Sequence, residues 1–81
     1  MKITKNLSTP LCDFSAGKTV RVVSIQAGHS LKNRLAAMGV LTNSALRIMR
    51  NEGAGQLIVA IKNSKVVLGR GASCKIFVAE A

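Results

Sequence analysis

The chain has 81 residues, a length that suits one domain with a single modest core and excludes two. Apolar residues make up 48% of it and aromatic residues only 2%, so the core must be built from aliphatic side chains, Met and Ala. A net charge of +9 favours an anionic partner, either nucleic acid, a lipid surface or an acidic protein face, without choosing among them.

Neither a secretion signal nor a spanning helix is recognisable, so we expect a cytoplasmic protein. The N-terminus has no continuous apolar run, and no segment approaches the roughly 18 apolar residues that a spanning helix needs. Cys12 and Cys74 are too few for a disulfide framework and do not form a CxxC pair. For a cytoplasmic protein, we expect reduced thiols rather than the one disulfide that these cysteines could form.

The first segment, residues 1–17, shows no sustained strand or helix period and is expected to run along the outside of the domain. Leu11 and Phe14 are the apolar side chains that would anchor it. Pro10 and Gly17 are typical turn residues and mark where the segment changes direction.

Five later segments alternate apolar and polar residues, which is the pattern of strands with one buried face. They read "KTVRVVSIQ", "SALRIMRN", "QLIVAIK", "KVVLGR" and "CKIFVAE". "GAG" at 53–55 ends the second, and the two residues Asn63 and Ser64 predict a hairpin between the third and the fourth. The inward positions are assigned to Val20, Val22, Leu46, Ile48, Leu57, Val59, Ile61, Ile76 and Val78, with Ile25 as a further candidate.

Between the first two strands, "SLKNRLAAMGV" predicts one helix over about residues 31–38. Ser30 can serve as the N-cap, and Gly39 can take the left-handed conformation after the last turn. The spacing i, i+4, i+7 assigns Leu31, Leu35 and Met38 to the core. About five strands and one inserted helix predict a mostly β fold, a small SH3-like antiparallel barrel in which residues 1–81 form a single domain.

The outer side of the predicted helix is the candidate site. Ala36 and Ala37 leave the helix backbone approachable, where a solvated helix would more often carry Glu, Lys or Gln. Lys32 lies in the first turn, where the helix dipole disfavours a cation, and Arg34 could anchor a partner or bond to a nearby loop. The candidate partner-binding residues are Lys32, Asn33, Arg34, Ala36 and Ala37.

Catalysis is not expected, because the three acidic residues are far apart in sequence and His29 has no nucleophile beside it. No residues stand at a known metal-ligand spacing, so we predict neither a metal site nor a cofactor. A metal-sensing adapter that uses Cys12, Cys74 and His29 remains one alternative. A basic SH3-like nucleic-acid-binding module is another, although the scarcity of aromatic side chains limits it to salt-sensitive phosphate contacts.

Three stretches, "LCDFSAGKTVRVVSI", "GHSLKNRLAAMGV" and "VVLGRGASCKIFV", resemble the FeoA family of small cytoplasmic proteins of bacterial ferrous iron uptake. The resemblance implies an SH3-like barrel with a helical insertion. It also implies a non-enzymatic accessory protein that acts on the cytoplasmic GTP-binding region of the FeoB permease and reaches the membrane only through that partner. The same module resembles the C-terminal domain of iron-dependent repressors.

One departure from the family pattern concerns the turn after the helix. The family usually has Pro-Gly where this chain has Thr42 and Asn43. Asn43 tolerates the left-handed conformation, so we expect the turn to survive with a less rigid backbone. A homo-oligomer is also left open, since Met49 and Phe77 are apolar residues at outward positions.

Overall fold

The computed structural model describes residues 8–52 and 55–81, so the predictions for residues 1–7 and for most of the "GAG" break lie outside it. One antiparallel sheet, in the order β1-β6-β2-β3-β4-β5, forms the mostly β, SH3-like fold that the sequence predicts. Its strands are β1 (Thr9–Pro10), β2 (Thr19–Ile25), β3 (Ala45–Asn51), β4 (Leu57–Ile61), β5 (Ser64–Leu68) and β6 (Ile76–Glu80). The helices are a 3-10 turn (Leu11–Asp13), α1 (His29–Ala37) and α2 (Arg70–Ser73).

The core consists of the inward side chains of the strands, as their alternation predicts. Every strand position assigned inward is buried, apart from the further candidate Ile25, which is half-buried. A β-bulge between Val22 and Ser24 shifts the register so that Ile25 pairs with Ile76 and packs against the core. A second irregularity, between Ile48 and Arg50, has a different effect, because it brings the polar side chain of Asn51 to the inner side of β3.

The helix prediction needs two corrections. Helix α1 begins at His29 with Gly28 as its N-cap, and no side chain caps it, so Ser30 lies inside the first turn and is exposed. Met38, assigned to the core, is 38% exposed, whereas Val40 is fully buried. The chain leaves the helical path at Gly39, which has φ +93°, and Val40 rather than Met38 joins the buried core.

The hairpin between β4 and β5 forms, but its turn is one residue earlier than predicted. Ile61 pairs with Ser64, and the turn residues are Lys62 and Asn63, with Lys62 at φ 54°. This register places Val66 opposite Val59 on the buried face. A shift by one residue would turn the buried side of β5 outward, so burial decides the register.

The expectation of reduced thiols is wrong. Cys12 and Cys74 form a disulfide with their Cα atoms 5.0 Å apart. The anchor role predicted for Leu11 in the outer segment is confirmed, because Leu11 is fully buried in the core. Phe14 is half-buried against the core, and Gly17 has the positive φ of a turn, +94°.

Candidate functional site

Helix α1 is held at its C-terminal end by paired backbone hydrogen bonds. The Val40 N–H donates to the Leu35 carbonyl (2.8 Å), and the Gly39 N–H donates to the Ala36 carbonyl (2.9 Å). Gly39 has φ +93°, so this is a Schellman turn, and the fully buried Leu35 and Val40 provide its apolar contact. This cap sets the position of the C-terminal end of α1 relative to the loop that follows it.

The loop after α1 is tied to β2. The Asn43 N–H donates to the Val22 carbonyl (2.8 Å), and the Val22 N–H donates to the Ser44 carbonyl (2.9 Å). Ser44 Oγ also donates to the Gly39 carbonyl (3.2 Å) and accepts from the Leu41 N–H (3.1 Å). Asn43 has φ 76°, so the predicted left-handed turn without Pro-Gly is confirmed, and hydrogen bonds fix its backbone.

A groove of about 510 Å³ separates α1 from β2 and the loop. Its helix side is formed by Lys32, Asn33 and Ala36, and Lys32 is the one charged residue among those that line it. Val40 and Ile25 provide a buried to half-buried apolar floor. The other lining residues are Val23, Ser24, Gln26, Leu41 and Thr42. The groove can therefore accept an apolar side chain next to a carboxylate.

The structure divides the five predicted partner-binding residues into two groups. All five side chains are exposed. Lys32, Asn33 and Ala36 line the groove, whereas Arg34 and Ala37 do not. Within residues 8–52 and 55–81, Arg34 makes no side-chain hydrogen bond or ion pair, so its expected bond to a nearby loop does not form there.

A polar cluster around Arg70 was not predicted from the sequence. Asn51 Nδ2 donates to the carbonyls of Cys12 (3.0 Å) and Phe14 (2.7 Å). Arg70 donates to Asn51 Oδ1 (2.8 Å) and, at 3.5 Å, to the Cys12 carbonyl. The cluster ties the 3-10 turn to α2 and to the end of β3, next to the disulfide. The Arg of "LGRG" was the one visible signal in the sequence, because Asn51 comes to the inner side only through the irregularity in β3.

No metal-binding constellation is found in the part of the chain that the structure describes: no three His, Cys, Asp or Glu side chains come together there. The metal-sensing alternative relied on two thiols that the disulfide ties up, and His29 is exposed at the start of α1. Glu80 pairs with Lys18 (3.1 Å) and Glu52 with Arg50 (3.5 Å), both on the surface.

No helix among the described residues is long and apolar enough to cross a membrane.

Comparison with known proteins gives consistent matches. Residues 9–80 match the model of the FeoA domain. A protein of Methanocaldococcus jannaschii described as a putative Fe(2+) transport protein A is 38% identical over 72 residues, 89% of this chain and 87% of the relative.

Solved structures share the fold. The crystal structure of an iron uptake regulatory protein (FeoA) has a TM-score of 0.87 at 21% identity and covers 93% of this chain and 100% of its own. A manganese-dependent transcriptional repressor has a TM-score of 0.85 at 30% identity, over 96% of this chain but 43% of its own. The repressor therefore resembles this chain in only one part of its length.

Proposed function

The chain belongs to the FeoA domain family, and from that membership we propose that it is a non-enzymatic accessory protein of ferrous iron transport. It acts by docking on the cytoplasmic GTP-binding region of a FeoB-type permease, which places it in the cytoplasm. The Methanocaldococcus jannaschii relative, described as a putative Fe(2+) transport protein A, supports the transport role. Ferrous iron is the cargo of the permease in this proposal and is not held by the accessory protein.

The observation that carries the docking proposal is the groove between α1 and β2. It presents an apolar floor, an unobstructed helix backbone at Ala36 and a single cation at Lys32. A partner segment with an apolar side chain flanked by a carboxylate matches both features, and the +9 charge of the chain favours an acidic partner surface. The contact surface is centred on Lys32, Asn33 and Ala36, with Arg34 and Ala37 at its margin.

The test is a binding titration against the purified cytoplasmic region of the permease. In one variant, Lys32→Glu is combined with Ala36→Glu, which reverses the only charge in the groove and fills its helix side. We expect the dissociation constant to rise at least tenfold. The glutamate at position 32 would repel the carboxylate of the partner, and the glutamate at position 36 would block the contact with the helix side of the groove.

The matched control combines Arg34→Glu with Ala37→Glu, which makes the same chemical changes on the part of α1 outside the groove. We expect its dissociation constant to stay within about threefold of the unchanged protein, as is usual for marginal charges. Equal losses in both variants would refute the groove as the contact, and no binding by the unchanged protein would refute docking itself.

A further inference from the structure

The outer face of the sheet carries a second feature, separate from the groove, which we term the basic sheet face. It consists of the outward side chains of β2 to β5. Strand register places Thr19, Arg47, Ala60 and Lys65 in one row across the four strands. Neighbouring strands lie about 4.8 Å apart, so Arg47 and Lys65 are about 10 Å apart along this row. Arg21, which pairs with Ala45, is the diagonal neighbour of Arg47.

This face has cations without matching carboxylates. Outward positions of the four strands contain no Asp or Glu, and the nearby Glu52 pairs with Arg50 just beyond β3. Among the described residues, Arg21, Arg47 and Lys65 take part in no ion pair. Like charges held this close repel one another, and an anionic partner would relieve that repulsion.

An apolar row lies beside the basic one. Val67 pairs with Ile58, and Ile58 pairs in turn with Arg50 on β3. Met49, which precedes Arg50 at the register irregularity of β3, is exposed beside this row. Val67 is 53% exposed and Met49 44%, while Ile58 is half-buried between their strands. The basic sheet face therefore combines aliphatic side chains with cations on neighbouring rows.

We propose that the basic sheet face binds the anionic surface of a lipid bilayer. Its cations match lipid phosphates, and its aliphatic row gains by leaving water for the boundary between headgroups and acyl chains. A nucleic acid would match the cations but not the apolar row, because no outward position of β2–β5 carries an aromatic ring on which a base could stack. The contact is direct, so it does not depend on docking to a permease.

The experiment is a flotation assay of the full chain with vesicles. One set contains phosphatidylcholine and about one-third phosphatidylglycerol, and the other phosphatidylcholine alone, at about 0.1 M salt. We expect binding to the anionic vesicles to be at least about tenfold tighter and to weaken further as salt is raised. Equal binding to both sets, or none to the anionic set, would overturn the proposal.

Variants locate the contact. Arg47→Glu with Lys65→Glu should weaken binding to anionic vesicles by about 30-fold or more, since each Lys or Arg near such a surface contributes about fivefold. Lys32→Glu with Arg34→Glu changes the net charge by the same amount on α1 and should lose far less. Val67→Ser keeps the charge and should lose a few-fold, because it removes part of the apolar row.

Two further outcomes are decisive. If both charge-reversed variants lose binding equally, overall charge and not this face is responsible, and the proposal is wrong. The proposal is also wrong if the protein binds single-stranded RNA but not the vesicles, and if the Arg47→Glu, Lys65→Glu variant no longer binds that RNA. Unchanged circular dichroism and melting temperature in each variant confirm that the fold is intact, as expected for exposed positions.

Discussion

Breaking the disulfide is the perturbation whose magnitude follows most directly from the structure. Cys12 and Cys74 are separated by 62 positions, so the bond removes much of the freedom of the unfolded chain. The chain-entropy relation gives about 4 kcal/mol of stabilisation for a loop of this length at 25 °C. Cys12→Ser combined with Cys74→Ser should therefore lower the free energy of unfolding by about 3–4 kcal/mol.

The variant should nevertheless remain folded. Asn51 and Arg70 donate hydrogen bonds to the backbone carbonyls of Cys12 and Phe14, and these bonds do not involve the sulfur atoms. The 3-10 turn should therefore stay attached to α2 and β3 when the disulfide is lost. At roughly 0.05–0.15 kcal/mol per residue, a chain of this size has a total stability of about 4–12 kcal/mol. Loss of the disulfide would therefore remove a large part of the free energy of unfolding, but over most of that range the remainder is still positive.

Denaturant titration of three samples tests the reasoning: the oxidised protein, the same protein with reductant, and the double serine variant. The last two should have the same free energy of unfolding, about 3–4 kcal/mol below that of the oxidised protein. In thermal scans of the same samples, the melting temperature should fall by about 4–8 °C for each kcal/mol lost. Reductant should have no effect on the double variant, which is the control. A loss below about 1 kcal/mol would refute the entropy argument, because the ends would already lie close together in the unfolded chain.

Three single substitutions should differ in the free energy of unfolding, measured by the same titration. Gly39→Ala should cost more than about 1 kcal/mol because of φ +93°, although its Cβ would meet Ile61 Cγ2 at an ordinary 3.5 Å. Asn51→Ala should cost about 2–3 kcal/mol, since it removes the Asn51 donor from the part-buried Cys12 and Phe14 carbonyls and the Oδ1 acceptor from Arg70. Lys18→Ala should cost less than about 1 kcal/mol, because its ion pair with Glu80 is exposed to solvent.

Most of the fold could be predicted because the strands of five or more residues alternate over enough positions to show which face is buried. The two-residue β1 and the four-residue α2 are too short to show a period, and sequence reasoning missed both. The disulfide was missed for a different reason. Cys12 lies in the 3-10 turn and Cys74 directly follows α2, so whether they meet depends on how these two short elements pack together. The spacing of two cysteines does not contain that information.

The candidate site could be predicted in part. Helical period identified α1 and its exposed side, but it could not show which exposed residues face β2. Only the packing of the loop after Gly39 against β2 determines that Lys32, Asn33 and Ala36 line a groove while Ala37 does not. The Arg70 cluster needed the irregularity in β3 that places Asn51 inside, and a local irregularity of this kind has no clear sequence pattern.

The hydrogen bonds of the loop after α1 also bear on the thermodynamics of recognition. Because Asn43 and Ser44 are hydrogen-bonded to β2 and to the end of the helix, we expect that wall of the groove to keep its shape when the proposed partner binds. Ordering a loop on binding usually offsets part of the interaction energy, and for the proposed docking we expect that cost to arise mainly in the partner. Association through the groove should therefore be rigid-body docking on the side of this chain, with a rate set by diffusion and charge rather than by rearrangement.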